Sequence, residues 1–120
     1  MKKLLISAAV AASIGATGAA SAEEIKIGVF LGLTGPIESL VANMAPAAEQ
    51  AIAEVSESGK LLDGTTVVAE RADTTCIDSA AATAAIERLI TAEKVAGVVG
   101  GDCSGVTTCL LYTSPSPRDS

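Results

Sequence analysis

The sequence has 120 residues, 49% of them hydrophobic and only 2% aromatic, and its 14 acidic residues outnumber 8 basic ones for a formal net charge of −6. No basic cluster occurs along the chain, which makes nucleic acid and anionic membrane surfaces poor partners. Histidine is absent, so chemistry that needs an imidazole base or ligand finds no such group here.

Residues 1–22 have the three-part pattern of a secretory leader. Met1, Lys2 and Lys3 open it, an apolar stretch of Leu4, Leu5, Ile6, Ala8, Ala9 and Val10 follows, and the small residues Ala20 and Ala22 precede Glu23. Cleavage is expected between Ala22 and Glu23. A membrane anchor is the alternative, but the residues after Val10 are mostly Ala, Gly, Ser and Thr, which insert weakly into a bilayer. No cysteine lies near the cleavage site, so a bacterial lipid anchor is not indicated. The remainder suffices for one small domain.

Residues 25–31 read Ile-Lys-Ile-Gly-Val-Phe-Leu and end in Gly32 and Thr34-Gly35-Pro36. This predicts a buried strand closed by a turn. Leu40, Val41, Met44, Ala47, Ala48, Ala51, Ile52 and Val55 then recur at helical spacing. Pro46 marks the start of the regular helix or a kink, and Gly59 its end. A second strand is expected over residues 66–72. Asp78 or Ser79 caps a second helix with Ala82, Ala85, Ile86, Leu89 and Ile90 on its inner face. A third strand is expected over 95–99, closed by Gly100-Gly101. Strand and helix alternate as a βαβαβ unit, so the expected fold class is α/β: a Rossmann-like parallel sheet of strand order 2-1-3. The right-handed crossover rule is taken to place both helices on one face of it. Boundaries follow as leader 1–22, an α/β segment over 23–108, and residues 109–120, where Pro115 and Pro117 stand in place of a third helix. That ending has the character of a non-native string read from sequencing adapter, the alternative being a genuine disordered tail.

Cys76 and Cys103 each follow a predicted strand in a chain bound for an oxidising compartment, where a disulfide is the natural reading and two free thiols the alternative. The ends of strands two and three lie about 10 Å apart across the first. The loops must therefore curl inward for the bridge to form. Cys109 is left unpaired. Ligands of open parallel sheets bind beyond the carboxyl ends of the strands. Two segments arrive there, Thr34 to Leu40 and Gly101 to Gly105. A helix beginning at Ser104 would offer amides, its dipole and the Ser104 hydroxyl to a carboxylate; equally, Ser104 is a plain cap. Glu38 and Ser39 are weaker candidates. The glycines have neither the dinucleotide nor the P-loop spacing, and Asp73, Asp78 and Asp102 are scattered over capping positions without a cation-loop signature; no cofactor or metal is expected. The stretch from Gly101 to Gly105 has the outline of a nucleophile elbow with Cys103 at its tip, but no base accompanies it.

Together, Ile27-Gly28-Val29, Leu33-Thr34-Gly35-Pro36, the alanine-rich first helix, Gly59 with Asp63-Gly64, Asp73 before Cys76, and Val98-Val99-Gly100 running to Cys103-Ser104 resemble the opening of the leucine/isoleucine/valine-binding proteins, which are type I periplasmic binding proteins. The resemblance spans residues 25–108. It implies a two-lobed periplasmic receptor that closes on an amino acid or similar small polar solute and docks on an ABC permease, without catalysis and as a monomer. It further implies that Ser104 contacts the solute carboxylate, that Glu38, Ser39 and Leu40 line the cleft, and that Cys76 pairs with Cys103. The chain is then the N-terminal fragment of such a receptor. A ligand-sensing domain of the same fold and a secreted thiol enzyme using Cys103 are the competing readings.

Overall fold

The computed structural model describes residues 23–61 and 64–113; the expected leader lies outside the described residues. Three strands, β1 (Glu24–Leu31), β2 (Thr66–Asp73) and β3 (Gly97–Gly100), form one sheet of order β2-β1-β3. Both pairings are parallel, with Leu31 opposite Asp73 and Phe30 opposite Gly100. The α/β class and strand order are those the sequence predicts. The carboxyl half of the central strand is apolar on both sides because neither face meets water there: Val29 and Phe30 point in opposite directions and both are fully buried.

Four helices connect or flank the strands: α1 (Glu38–Val41), α2 (Met44–Glu57), α3 (Ser79–Thr91) and α4 (Ser104–Thr113). Pro46 falls in the first turn of α2, where a backbone N–H has no intrahelical partner to lose. Gly59, at φ 66°, follows that helix's end in the left-handed region that glycine adopts without strain. Asp78 caps α3, its side chain accepting from the amides of Ala80 and Ala81 at 2.9 and 3.0 Å. The third strand begins later than its apolar run implies. Val95 donates its amide to the Leu89 carbonyl at 3.1 Å, so it still belongs to the exit from α3. α4 runs to Thr113, past the break expected at Cys109, and residues 114–120 lie outside the described residues.

The placement of both helices on one face is overturned. α2 packs on the face of Val29 and Leu31 through Ala45, Ala48 and Ile52. α3 and α4 pack on the other, where Phe30 and Ala72 meet Ala82, Ile86, Leu89 and Val106. The strand order itself requires this. The chain steps outward from β1 to β2 and then returns across β1 to β3, and two right-handed crossovers running in opposite directions cover opposite faces. The result is three layers. Ile86 and Leu89 are fully buried, each removal from water contributing about 1.5–3 kcal/mol. Among the described residues no helix is long and apolar enough to cross a membrane.

Candidate functional site

Because all three strands run parallel, their carboxyl ends share one rim, and the loops that follow them meet there. Asp73, the last residue of β2, organises the loop after β1. Its Oδ1 accepts from the amides of Leu33 at 2.9 Å, Thr34 at 3.3 Å and Thr75 at 2.8 Å, and its Oδ2 accepts from the Thr34 hydroxyl at 2.5 Å. Partial burial pulls this carboxyl toward the neutral acid, but the hydrogen bonds from Thr34, Thr75 and Leu33 outweigh it and hold its pKa below the usual aspartate range. Asp73 is therefore a fixed anion of the rim. Next to it Thr74 is fully buried, and its hydroxyl accepts from the Cys76 amide at 3.2 Å.

On the other side of β1, Gly100 and Gly101 turn the chain out of β3 at φ 123° and 86°. A Cβ on Gly100 would stand 2.1 Å from the Phe30 carbonyl oxygen, so only glycine fits. Asp102 then reaches back to β1, its Oδ2 accepting from the Gly32 amide at 2.9 Å. α4 starts immediately afterwards. The Cys103 carbonyl accepts from the Thr107 amide at 2.9 Å, the first bond of the helix, which makes Cys103 the N-cap residue and Ser104 the first helical residue. The plain-cap reading of Ser104 is thereby set aside: the cap position is one residue earlier, and the exposed Ser104 stands in the first turn, where helix amides lack intrahelical acceptors.

Cys76 and Cys103 are joined, with Cα atoms 5.4 Å apart. The loops do curl inward, the β2 side through left-handed backbone at Thr75 and Cys76, φ 55° and 69°. The bridge leaves no thiol at Cys103, and the reading of that residue as a nucleophile fails with it. Glu38, Ser39 and Leu40 sit on α1 at the same rim as Ser104. All three are exposed, Leu40 at 74%, while the buried Val41 anchors their helix.

Sequence reasoning missed the parts of Asp73 and Asp102. Their partners lie 39 to 40 and 70 positions away in the chain, a separation that leaves no local signature. The only hint was an aspartate at or beyond the end of each flanking strand. The rim's charge follows from topology. Lys26, Arg71 and Arg88 are each paired with a glutamate, Lys26 with Glu93 at 3.0 Å and Arg88 with the same residue at 2.9 Å. Lys60 and Lys94 precede β2 and β3 and so lie toward the opposite end of the sheet. The rim thus gathers two aspartates, hydroxyls and the start of a helix. Among the described residues no group of three or more Cys, Asp or Glu could hold a metal ion.

A wholly apolar groove of about 440 Å³ lies elsewhere, between α2 and the sheet, lined by Ile25, Ile27, Ile52, Val55, Val67 and Val99. It offers a polar solute no hydrogen-bond partner, and the solute would lose its hydration there without compensation. The rim, with its convergent polar groups, is the candidate site.

Comparison with known proteins gives the family and the fold. The family model described as periplasmic binding protein matches residues 24–111. No curated protein sequence matches the chain. Among solved structures, a possible leucine/isoleucine/valine-binding protein from Rhodopirellula baltica superposes with a TM-score of 0.65 at 22% identity, over 78% of this chain and 25% of that one. A leucine-binding protein from Thermotoga maritima gives 0.57 at 30% identity, over 73% and 24%. A solute-binding protein of an ABC transporter from R. palustris, in complex with 4-hydroxybenzoate, gives 0.61 at 26% identity, over 75% and 24%. The chain spans about a quarter of the length of these structures.

Proposed function

The chain belongs to the periplasmic binding protein family, and from that premise we propose that it supplies one wall of a solute cleft in the receptor component of an ABC importer. The solute class is a branched-chain or other amino acid, or a similar small polar molecule such as an amide. What supports this reading is that α1, with Glu38, Ser39 and Leu40, follows β1 and α4, with the exposed Ser104 in its first turn, follows β3, both beyond the carboxyl ends of parallel strands. Free amides and a hydroxyl at a helix start receive a carboxylate. The negative field of Asp73 and Asp102, which among the described residues has no basic side chain bonded to it, suits a solute that also carries a cationic group. An amino acid has both. The similarity to a leucine-binding protein supports the same class, while the solved complex with 4-hydroxybenzoate supports a carboxylate as the shared feature.

In this reading the protein works in the periplasm as a monomer, after removal of residues 1–22, and hands its solute to a permease of the inner membrane. Its chemistry is reversible binding. Thermal-shift screening of the longest encoded form of the protein against amino acids, amides and small carboxylates tests it. Stabilisation by one class is expected, reaching about 2.7 kcal/mol at a hundredfold excess over Kd. Absence of stabilisation by every member of the panel would refute the solute class.

A further inference from the structure

Three consecutive amides at the end of β1, those of Gly32, Leu33 and Thr34, are all taken up by carboxylates from the two flanking strands. Asp73 holds Leu33 and Thr34 from the β2 side, and Asp102 holds Gly32 from the β3 side. Left free, consecutive amides of this kind make a concave site for an anion. Here the chain's own carboxylates occupy it. Asp73 is well satisfied, since it also holds Thr75 and the Thr34 hydroxyl. Asp102 is not: its Oδ1 is buried without a hydrogen-bond partner. A buried oxygen with no donor costs stability, so the carboxylate at this position is poorly explained as a device for holding the fold together.

We propose that Asp102 is a positioning residue of the rim. Its single bond to Gly32 ties the segment leading to Glu38, Ser39 and Leu40 to the start of α4 at Ser104, and so fixes the separation of the two halves of the mouth. With Asp73 it also closes the Gly32 to Thr34 amides to a solute anion, leaving the α4 side as the place where a negative group is received. Asp102 has this purpose only if the rim is the solute site, but the bond itself can be tested without a solute.

The test is amide hydrogen exchange by NMR on the ¹⁵N-labelled 120-residue chain and its Asp102→Ala and Asp102→Asn variants. In the alanine variant the Gly32 amide is expected to exchange roughly tenfold faster or more, the loss expected for a hydrogen bond to a charged acceptor, and the Ser104 amide resonance to move with it. Val29 and Phe30, in the buried part of β1, keep their protection. In the asparagine variant the side-chain oxygen still accepts, so Gly32 stays protected and Ser104 keeps its resonance. Unchanged Gly32 exchange in the alanine variant would overturn the proposal, as would an equal loss of protection at Val29 and Phe30, which would make the role purely structural. Should the alanine variant not fold, the same exchange measurement on Asp102→Ser, whose shorter side chain does not reach Gly32, decides: unchanged Gly32 protection overturns the proposal. No solute enters the measurement, so a failed solute screen and a failed Asp102 coupling are separate results.

Discussion

Breaking the bridge between Cys76 and Cys103 is the perturbation with the largest expected effect on this fold. The two cysteines are 27 positions apart, and in the chain-entropy account closing a loop of that length stabilises the folded state by about 3.5 kcal/mol. The loop contains α3 and β3. Their packing through Ala82, Ile86 and Leu89 survives the loss of the crosslink, so the effect falls on the unfolded ensemble and on the α4 start that Cys103 caps. For a domain of this size that corresponds to a drop in Tm of roughly 15–25 °C. The assay is urea unfolding followed by circular dichroism in a Cys109→Ser background, comparing the oxidised chain with the Cys76→Ala, Cys103→Ala double variant and with the oxidised chain under reductant. A difference in unfolding free energy of about 1 kcal/mol or less would show that the loops are held by their own hydrogen bonds, and the account of the bridge as the main staple of this rim would fail.

Asp73 makes the stability of the chain acid-dependent. Its folded-state pKa lies below the ordinary 3.8, so the stability it contributes is complete above the unfolded value and is lost as pH falls through the folded one. Unfolding midpoints of wild type and Asp73→Asn are expected to differ most at neutral pH and to draw together as pH falls below the ordinary value of 3.8; parallel curves across that range would contradict the assignment. Gly100→Ala places a Cβ 2.1 Å from the Phe30 carbonyl oxygen at φ 123°, and a loss of about 2–4 kcal/mol is expected from strain and displaced pairing. Chemical denaturation of that variant checks it, a loss within 0.5 kcal/mol, roughly the range of an ordinary surface change, being the outcome that would refute the close approach.

Local pattern was enough to identify every strand and the two long helices. The apolar run of β1, the helical spacing through Ala48 and Ile52, the Asp78 cap and the Gly59 stop are short-range consequences of side-chain type, and they appear in the structure as the residues themselves dictate. The pairing of Cys76 with Cys103 was legible for a similar reason: three cysteines, two of them beyond strand ends, leave few choices. Ser104 and the stretch from Glu38 to Leu40 could be assigned to one rim because parallel strands put all their carboxyl ends together.

Which face each helix covers follows from the strand order, because right-handed crossovers that leave β1 and return across it cover opposite faces, so the expected order 2-1-3 already implied what the structure has. Tertiary structure alone decided the meeting of Asp102 and Gly32 across 70 positions, which exists only because β1 and β3 are neighbours in the sheet. Sequence fixes which residues seek burial and which can cap or turn. The partners that polar groups acquire at the rim are set by the order of the strands, because a hydrogen bond is formed by whichever acceptor the fold brings within about 3 Å.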